Sequence, residues 1–181
     1  MGAIKWYVNS PLQSQGVDMM AFMYSNDGHV SYARNASLLL EKDYWYLKEE
    51  LKVDITMNDD LYEVVIPEGY LTDGATVPRI LWSICPKWDQ THKAVILHDY
   101  LCEYGVIRKN GEMVKIDREM IDLLFLEAMR FEGVSQIKHS MMYAAVRLHV
   151  NINGHKYAKV NRLKLQLEDE IRVNLKEKYY N

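Results

Sequence analysis

The feature that most constrains this fold is a change in hydrophobic period near residue 90. Before it, "VDITM" and "LYEVVIP" are short apolar runs separated by the polar turn "NDD", and Pro67 and Gly69 end the second run. Such runs predict antiparallel strands. After it, "QTHKAVILHDYLCEY", "DREMIDLLFLEAMRFEG" and "SQIKHSMMYAAVRLHVN" carry apolar residues at helical spacing. Strands followed by helices predict an α+β fold rather than a doubly wound sheet.

Other stretches predict the local structure around these elements. "SNDG" is a turn signal between two aromatic-rich runs and predicts a hairpin. We interpret "ASLLLEKDYWYLK" as a strand, although its alternation is not clean, and "RKNGE" as a turn or exposed loop. The sequence therefore predicts a small N-terminal antiparallel β unit, a bundle of about three helices and a C-terminal extension.

Helix ends and the tail have their own signals. Asp117 is expected to cap the second helix and Gly133 to close it, and Ser135 is expected to cap the third. The tail leaves two alternatives open, because "RLKLQLE" alternates with period two and favours a strand, whereas "EDEIRVNLKEK" favours a helix. At this length we expect one domain, residues 1–181.

Composition argues against several classes of protein. The net charge of −3 lacks the basic excess of nucleic-acid-binding proteins, so no nucleic-acid partner is expected. No apolar run approaches the ~20 residues that cross a bilayer, so no membrane span is expected. Cys85 and Cys102 make neither a disulfide framework nor a zinc site by themselves. With no signal-peptide core at the N-terminus, we expect a protein made in a cytoplasm.

Each predicted helix carries polar groups on an otherwise apolar face. His98 and Asp99 are neighbours on the first helix, ~100° apart, so they must contact different partners. Asp122 on the second helix needs a partner, and Arg147 on the third is the natural cation. The predicted polar centre consists of Asp73, His98, Asp99, Asp122, Tyr143 and Arg147. Such a centre is either a functional site or a buried network that only fixes the register of the helices.

The loop "IPEGYLTDGATVPR", residues 66–79, joins the last predicted strand to the helices. Asp73 and Gly74 favour a tight turn, Thr76 offers a hydroxyl, and Pro78 fixes the exit. Such a loop can present a carboxylate and carbonyls to a cation, or amides to an anion. The alternative, which the residues alone favour, is a structural turn in which Asp73 caps backbone amides.

Four separated motifs resemble, in order and spacing, a phage and bacterial family, domain-of-unknown-function family 1353. The motifs are "VVIPEGYLTDGATVPRILWSI", "AVILHDYLCEY", "IDLLFLEAMRFEGVS" and "MMYAAVRL". The resemblance covers roughly residues 60–149, between an N-terminal β region or arm, 1–59, and a C-terminal extension, 150–181. Gly74 and Cys102 depart from it, standing where a bulkier apolar residue and a second tyrosine are usual. The matching residues are Thr72, Asp73, Ala75, Pro78, Arg79, His98, Asp99, Tyr100, Asp122, Phe125, Tyr143 and Arg147.

A more distant similarity, at the level of one motif, is to the small secreted calcium-dependent phospholipases. By that resemblance His98 would be the general base that activates water, and Asp122 would fix its tautomer. Asp99 and the loop from Asp73 to Ala75 would hold calcium. Those enzymes are rich in disulfides, whereas this chain has two cysteines.

Two functional hypotheses follow. The first is a phage-encoded structural or interaction protein of the virion or tail region, made in the bacterial host cytoplasm, incorporated in the virion and bound to other virion proteins. The second is a metal-assisted hydrolase of an envelope ester or amide, with His98 as base and calcium as cofactor. A scaffold would bury His98 and Asp99 and saturate the carboxylates with Arg147, whereas a hydrolase needs His98 and Asp99 at a solvent-reachable pocket. The oligomeric state is not predicted.

Overall fold

The computed structural model describes residues 16–17, 19–74, 91–153 and 161–180. Within these ranges the chain forms eight strands and five helices. This confirms the α+β class and corrects the expected number of helices, which was about three. The strands are β1 (Met20–Tyr24), β2 (Val30–Tyr32), β3 (Trp45–Leu47), β4 (Leu51–Met57), β5 (Asp60–Ile66), β6 (Leu71–Thr72), β7 (Val106–Lys109) and β8 (Glu112–Lys115). The helices are α1 (Arg34–Leu39), α2 (His92–Tyr104), α3 (Arg118–Phe131), α4 (Gln136–Asn153) and α5 (Arg162–Tyr180).

The strands form two antiparallel sheets. The larger sheet has the order β1-β4-β5-β7-β8 and the smaller the order β2-β3-β6. In β4, buried and half-buried side chains alternate along the strand, so that one face of the larger sheet packs on the core with α2 and α3. The predicted pair of strands around "NDD" is confirmed, with Leu51 opposite Ile66 and a tight turn at Asn58.

Two predictions in the N-terminal part are wrong. The "SNDG" segment does not close a hairpin, because β1 pairs with β4 and β2 pairs with β3. The Asn26 side chain instead accepts a hydrogen bond from Gly28 N and donates one to Glu50 O, which directs the chain from one sheet to the other. The stretch read as one strand splits into α1 and β3, and the Ser37 hydroxyl donates to Ala33 O at the start of α1.

The turn predicted at "RKNGE" is confirmed, but the strands on either side of it were missed. Asn110 and Gly111 both have positive φ, 47° and 91°, as a two-residue hairpin turn of type I′ requires. The hairpin adds β7 and β8 to the larger sheet, next to β5. The β unit is therefore completed by residues that follow α2.

The helix ends lie where the predicted caps stand. Asp117 accepts a hydrogen bond from Met120 N at 2.8 Å, Gly133 has a φ of 81° after the end of α3, and Ser135 directly precedes α4, where its backbone carbonyl accepts from His139 N. Of the two alternatives for the tail, the helix is correct, since α5 is continuous from Arg162 to Tyr180. No helix in the part of the chain that the structure describes is long and apolar enough to cross a membrane.

Helix α5 packs closely against the chain just before β6, at Gly69. This glycine has a φ of 78°, and a Cβ placed on it would lie 3.1 Å from the Glu168 carbonyl oxygen and 2.8 Å from Arg172 Cγ. We therefore expect Gly69→Ala to lower the free energy of unfolding by about 2 kcal/mol, partly through left-handed backbone strain and partly by displacing α5.

Gly133→Ala is the matched control for this prediction, because Gly133 has a φ of 81° and nothing within 4 Å of the added Cβ. It should cost only about 1 kcal/mol, the strain alone. Urea unfolding of both variants gives the comparison. Equal losses would contradict a close contact between Gly69 and α5.

Candidate functional site

His98 lies on the face of α2 that packs on α3. It is 7% exposed, and its ring centroid lies 4.5 Å from that of Phe125. Its Nε2 is 2.9 Å from Oδ1 of Asp122, which is fully buried. Burial lowers the pKa of His98, although the hydrogen bond to Asp122 acts in the opposite direction. The imidazole is therefore neutral at pH 7, donates its Nε2 proton to the carboxylate and leaves Nδ1 unprotonated.

Asp122 also receives two guanidinium groups. Arg118 Nε donates to Oδ1 at 2.9 Å, and Arg147 Nη1 donates to Oδ2 at 3.1 Å. Burial alone would raise the pKa of Asp122, but His98, Arg118 and Arg147 hold it below its ordinary value. The predicted contact of Asp122 with Arg147 is therefore present. Tyr143, one turn before Arg147, is half-buried and packs against the core.

Cys102 lies one turn after His98 on the same face. Its Sγ is 3.6 Å from Nε2 and 3.8 Å from Nδ1 of His98. A thiol, an imidazole and a carboxylate in this order could form a nucleophilic triad if the thiol ionised. Burial raises the pKa of Cys102 well above its ordinary value, so the thiol stays protonated and packs as an apolar group. We call these residues (His98, Cys102, Arg118, Asp122 and Arg147) the His98 cluster.

Asp99 points to a different side of α2, as adjacent helical positions require. Its Oδ2 accepts a hydrogen bond from Thr72 Oγ1 at 2.5 Å, and the same hydroxyl accepts one from Gly74 N at 3.1 Å. Burial raises the pKa of Asp99 to about 6; the Thr72 hydrogen bond and the charges of Lys164 and Lys42 oppose this rise. Asp99 is thus held by the end of β6 and the loop that follows it.

A second group of charged side chains surrounds Asp99. Lys164 on α5 forms an ion pair with Glu103, lies 3.6 Å from Glu168 Oε1 and sits 4.4 Å from the centroid of the Tyr70 ring. Glu168 Oε1 in turn accepts a hydrogen bond from Leu71 N at 2.9 Å. Asp73 forms an ion pair with Lys42. We call these residues (Lys42, Tyr70, Thr72, Asp73, Asp99, Glu103, Lys164 and Glu168) the Asp99 cluster.

The prediction of one shared polar centre is therefore wrong. His98, Asp122 and Arg147 come together as predicted, whereas Asp99 and Asp73 belong to the second cluster, because α2 turns the two neighbours toward different elements. The predicted loop residues Thr72 and Gly74 contact each other at that cluster. Thr76, Pro78 and Arg79 lie outside the described residues.

A metal site requires several ligands that converge. Within residues 16–17, 19–74, 91–153 and 161–180, no group of three or more His, Cys, Asp or Glu side chains is placed to hold a metal ion. The predicted calcium ligands Asp73 and Asp99 contact Lys42 and Thr72 in the structure.

Sequence reasoning missed several members of the two clusters. Arg118 stands four residues before Asp122, and this i, i+4 pairing of opposite charges on one helix could have identified it. Lys164 and Glu168 are also four apart, on either side of the buried Leu167, and both are buried. No local signal connects them with Glu103, since this contact joins residues far apart in the sequence.

A family model described as "Protein of unknown function (DUF1353)" matches residues 45–146, more than half of the chain. The chain belongs to this family. The DUF1353 match confirms the resemblance drawn from the four motifs and extends it toward the N-terminus, to the start of β3. It contains His98, Asp99 and Asp122, ends one residue before Arg147 and excludes α5. No curated protein and no solved structure matches the chain.

Proposed function

We propose that this DUF1353 protein is a phage-encoded structural or interaction protein of the virion or tail region. It is made in the bacterial host cytoplasm, is incorporated in the particle and binds other virion proteins. In this proposal the His98 cluster fixes the register of α2, α3 and α4. The structural part of this proposal rests on Asp122, a fully buried carboxylate whose two oxygens contact one imidazole and two guanidinium groups.

The arrangement of these contacts favours a scaffold over a catalytic centre. A carboxylate saturated by three donors from α2, α3 and α4 can be satisfied in only one packing of the helices. The Nε2 atom of His98 is hydrogen-bonded within this network, and its ring packs on Phe125. Little of the His98 side chain is therefore exposed to contact a substrate. The phage context comes from the family resemblance.

The test is the association of the chain with particles. In an induced lysogen that encodes it, the protein should copurify with assembled particles through a density gradient, at a constant ratio to the major virion proteins. The variant His98→Gln keeps an amide donor near Asp122 but removes the base, so a folded variant should be incorporated equally well. Wild-type protein found only in the soluble fraction would contradict the proposal.

A second candidate function is the metal-assisted hydrolase of an envelope ester or amide. One observation favours it: with Nε2 bound to Asp122, the hydrogen-bond contact that the described part of the chain offers Nδ1 of His98 is the weak thiol partner Cys102, at 3.8 Å. Asp122 thus orients a neutral imidazole with one unprotonated nitrogen, as general-base catalysis requires. Calcium would then have to bind at Asp73 and Asp99, beside the loop.

Calcium calorimetry separates the two candidates. On the scaffold proposal we expect no binding heat for the wild type, and a folded His98→Ala protein with a lower melting temperature, because a buried ring and hydrogen bond are lost. Calcium binding that disappears in Asp99→Asn, in a variant whose melting temperature does not fall, would instead support the hydrolase. Ester and amide substrates would then be tried on wild type and His98→Gln.

A further inference from the structure

The ammonium group of Lys164 occupies a site built mainly by the family-matched part of the chain. Its side chain is only 5% exposed, although lysine usually keeps its charge in water. The group forms an ion pair with Glu103, lies 3.6 Å from Glu168 Oε1 and stands over the Tyr70 ring. Two carboxylates and an aromatic face are the usual surroundings of a bound organic cation.

The family-matched side of this site has buried polar atoms that form no hydrogen bond with Lys164. Tyr70 is 1% exposed, and its hydroxyl makes no well-formed hydrogen bond to a described residue. Glu103 Oε2 is buried in the same way, and the Glu103 carboxylate acts on the Tyr70 hydroxyl both as a hydrogen-bond acceptor and as a charge, while Asp99 acts on it as a charge. Buried polar atoms without partners are uncommon in folded proteins and indicate a place where a ligand or donor fits.

The cation itself comes from outside the family match. Tyr70, Asp99 and Glu103 lie within residues 45–146, whereas Lys164 and Glu168 belong to α5. Without Lys164, the two family-matched carboxylates and Glu168 would be left, among the described residues, with the charge of Lys42 acting on Asp99 and that of Arg172 acting on Glu168. Carboxylates so placed repel one another unless a cation binds between them.

We propose that the pocket formed by Tyr70, Asp99, Glu103 and Glu168 is a binding site for a protonated primary amine, and that Lys164 fills it as a ligand supplied by the chain itself. An ammonium suits the site because it donates up to three hydrogen bonds, enough to reach the carboxylates while its stem packs against apolar surface.

Chemical rescue tests this proposal in the full-length protein. Lys164→Ala removes three methylene groups and the ammonium, a volume that n-propylammonium matches. We expect this variant to melt about 10 °C below the wild type. Adding n-propylammonium should recover a large part of the loss, with a dependence on concentration that saturates, whereas tetramethylammonium at equal ionic strength should not.

Two further variants make the result specific. Lys164→Met fills the stem volume with a neutral side chain, so n-propylammonium should not rescue it. Lys176→Ala removes an exposed lysine of the same helix and should leave the melting temperature and the amine response unchanged. If Lys164→Ala is unfolded at room temperature, recovery of its helical circular dichroism on adding the amine replaces the melting curve. Equal responses of Lys164→Ala and Lys164→Met, or no response of either, would overturn the proposal.

Discussion

Asp122→Ala lowers the free energy of unfolding by about 3–5 kcal/mol, the cost of removing one partner from a buried charge network. The loss is large because Arg118 and Arg147 keep their charges, and His98 keeps a buried donor, without the carboxylate that all three contact. Urea unfolding followed by circular dichroism measures it. Glu119→Ala, an exposed carboxylate on the same helix, should change stability by less than about 0.5 kcal/mol.

The same cluster allows a sharper test of a purely structural role. Replacing all of its polar members together, by His98→Leu, Arg118→Met, Asp122→Leu and Arg147→Met, should recover most of the stability that Asp122→Ala loses. Apolar groups of similar volume need no partners, so no uncompensated charge stays behind. A quadruple variant that is less stable than Asp122→Ala would contradict this account. The loss in Asp122→Ala could then not be explained by the unpaired charges that it leaves behind.

Stability also falls as the pH rises through the pKa of Asp99. Burial raises that pKa from 3.8 to about 6, so between these values the folded protein holds a proton that the unfolded chain has released. A group whose folded pKa is raised stabilises the fold below its unfolded pKa and loses this contribution as the pH passes the folded pKa. Asp99→Asn cannot ionise and should be more stable than wild type by about 2–3 kcal/mol above pH 7.

Unfolding curves between about pH 4 and about pH 8 test this prediction, and the difference between wild type and Asp99→Asn isolates one group. The subtraction is needed because burial also raises the pKa of Glu132, to about 7, in both proteins. Thr72→Val provides a second check, because the Thr72 hydrogen bond lowers the pKa of Asp99. Its loss should raise this pKa further, and with it the pH at which the free energy of unfolding falls. Parallel curves for wild type and Asp99→Asn would contradict a raised pKa.

Local signals in the sequence predicted the structure well. The helical period located α2, the period and the caps located α3, and Asn110-Gly111 marked a turn, because these signals act within a few residues. Pairing between distant strands was not predictable in this way. "SNDG" resembles a hairpin turn, yet β1 pairs with β4, since the packing of residues such as Phe22 outweighs the local preference.

The candidate site shows the same limit. The contacts of Asp122 with His98 and Arg147 followed from the need of a buried carboxylate for partners on adjacent helices. The position of Asp99 did not follow, because its partners come from β6 and α5, which no sequence pattern places beside α2. The rule that adjacent helical residues point apart already implied two clusters, and combining them into one centre went beyond it.

The hydrogen bond from Leu71 N to Glu168 joins residues 97 positions apart. Contacts at such separation form late in folding, because the chain between them must first be ordered. We therefore expect α5 to dock after the sheets and α2 to α4 have assembled, and to detach before them when the native protein opens locally. In native-state hydrogen exchange, the amides of α5 should exchange at lower opening free energy than those of α3, so the Asp99 side of α2 is reached by solvent more often than the His98 side.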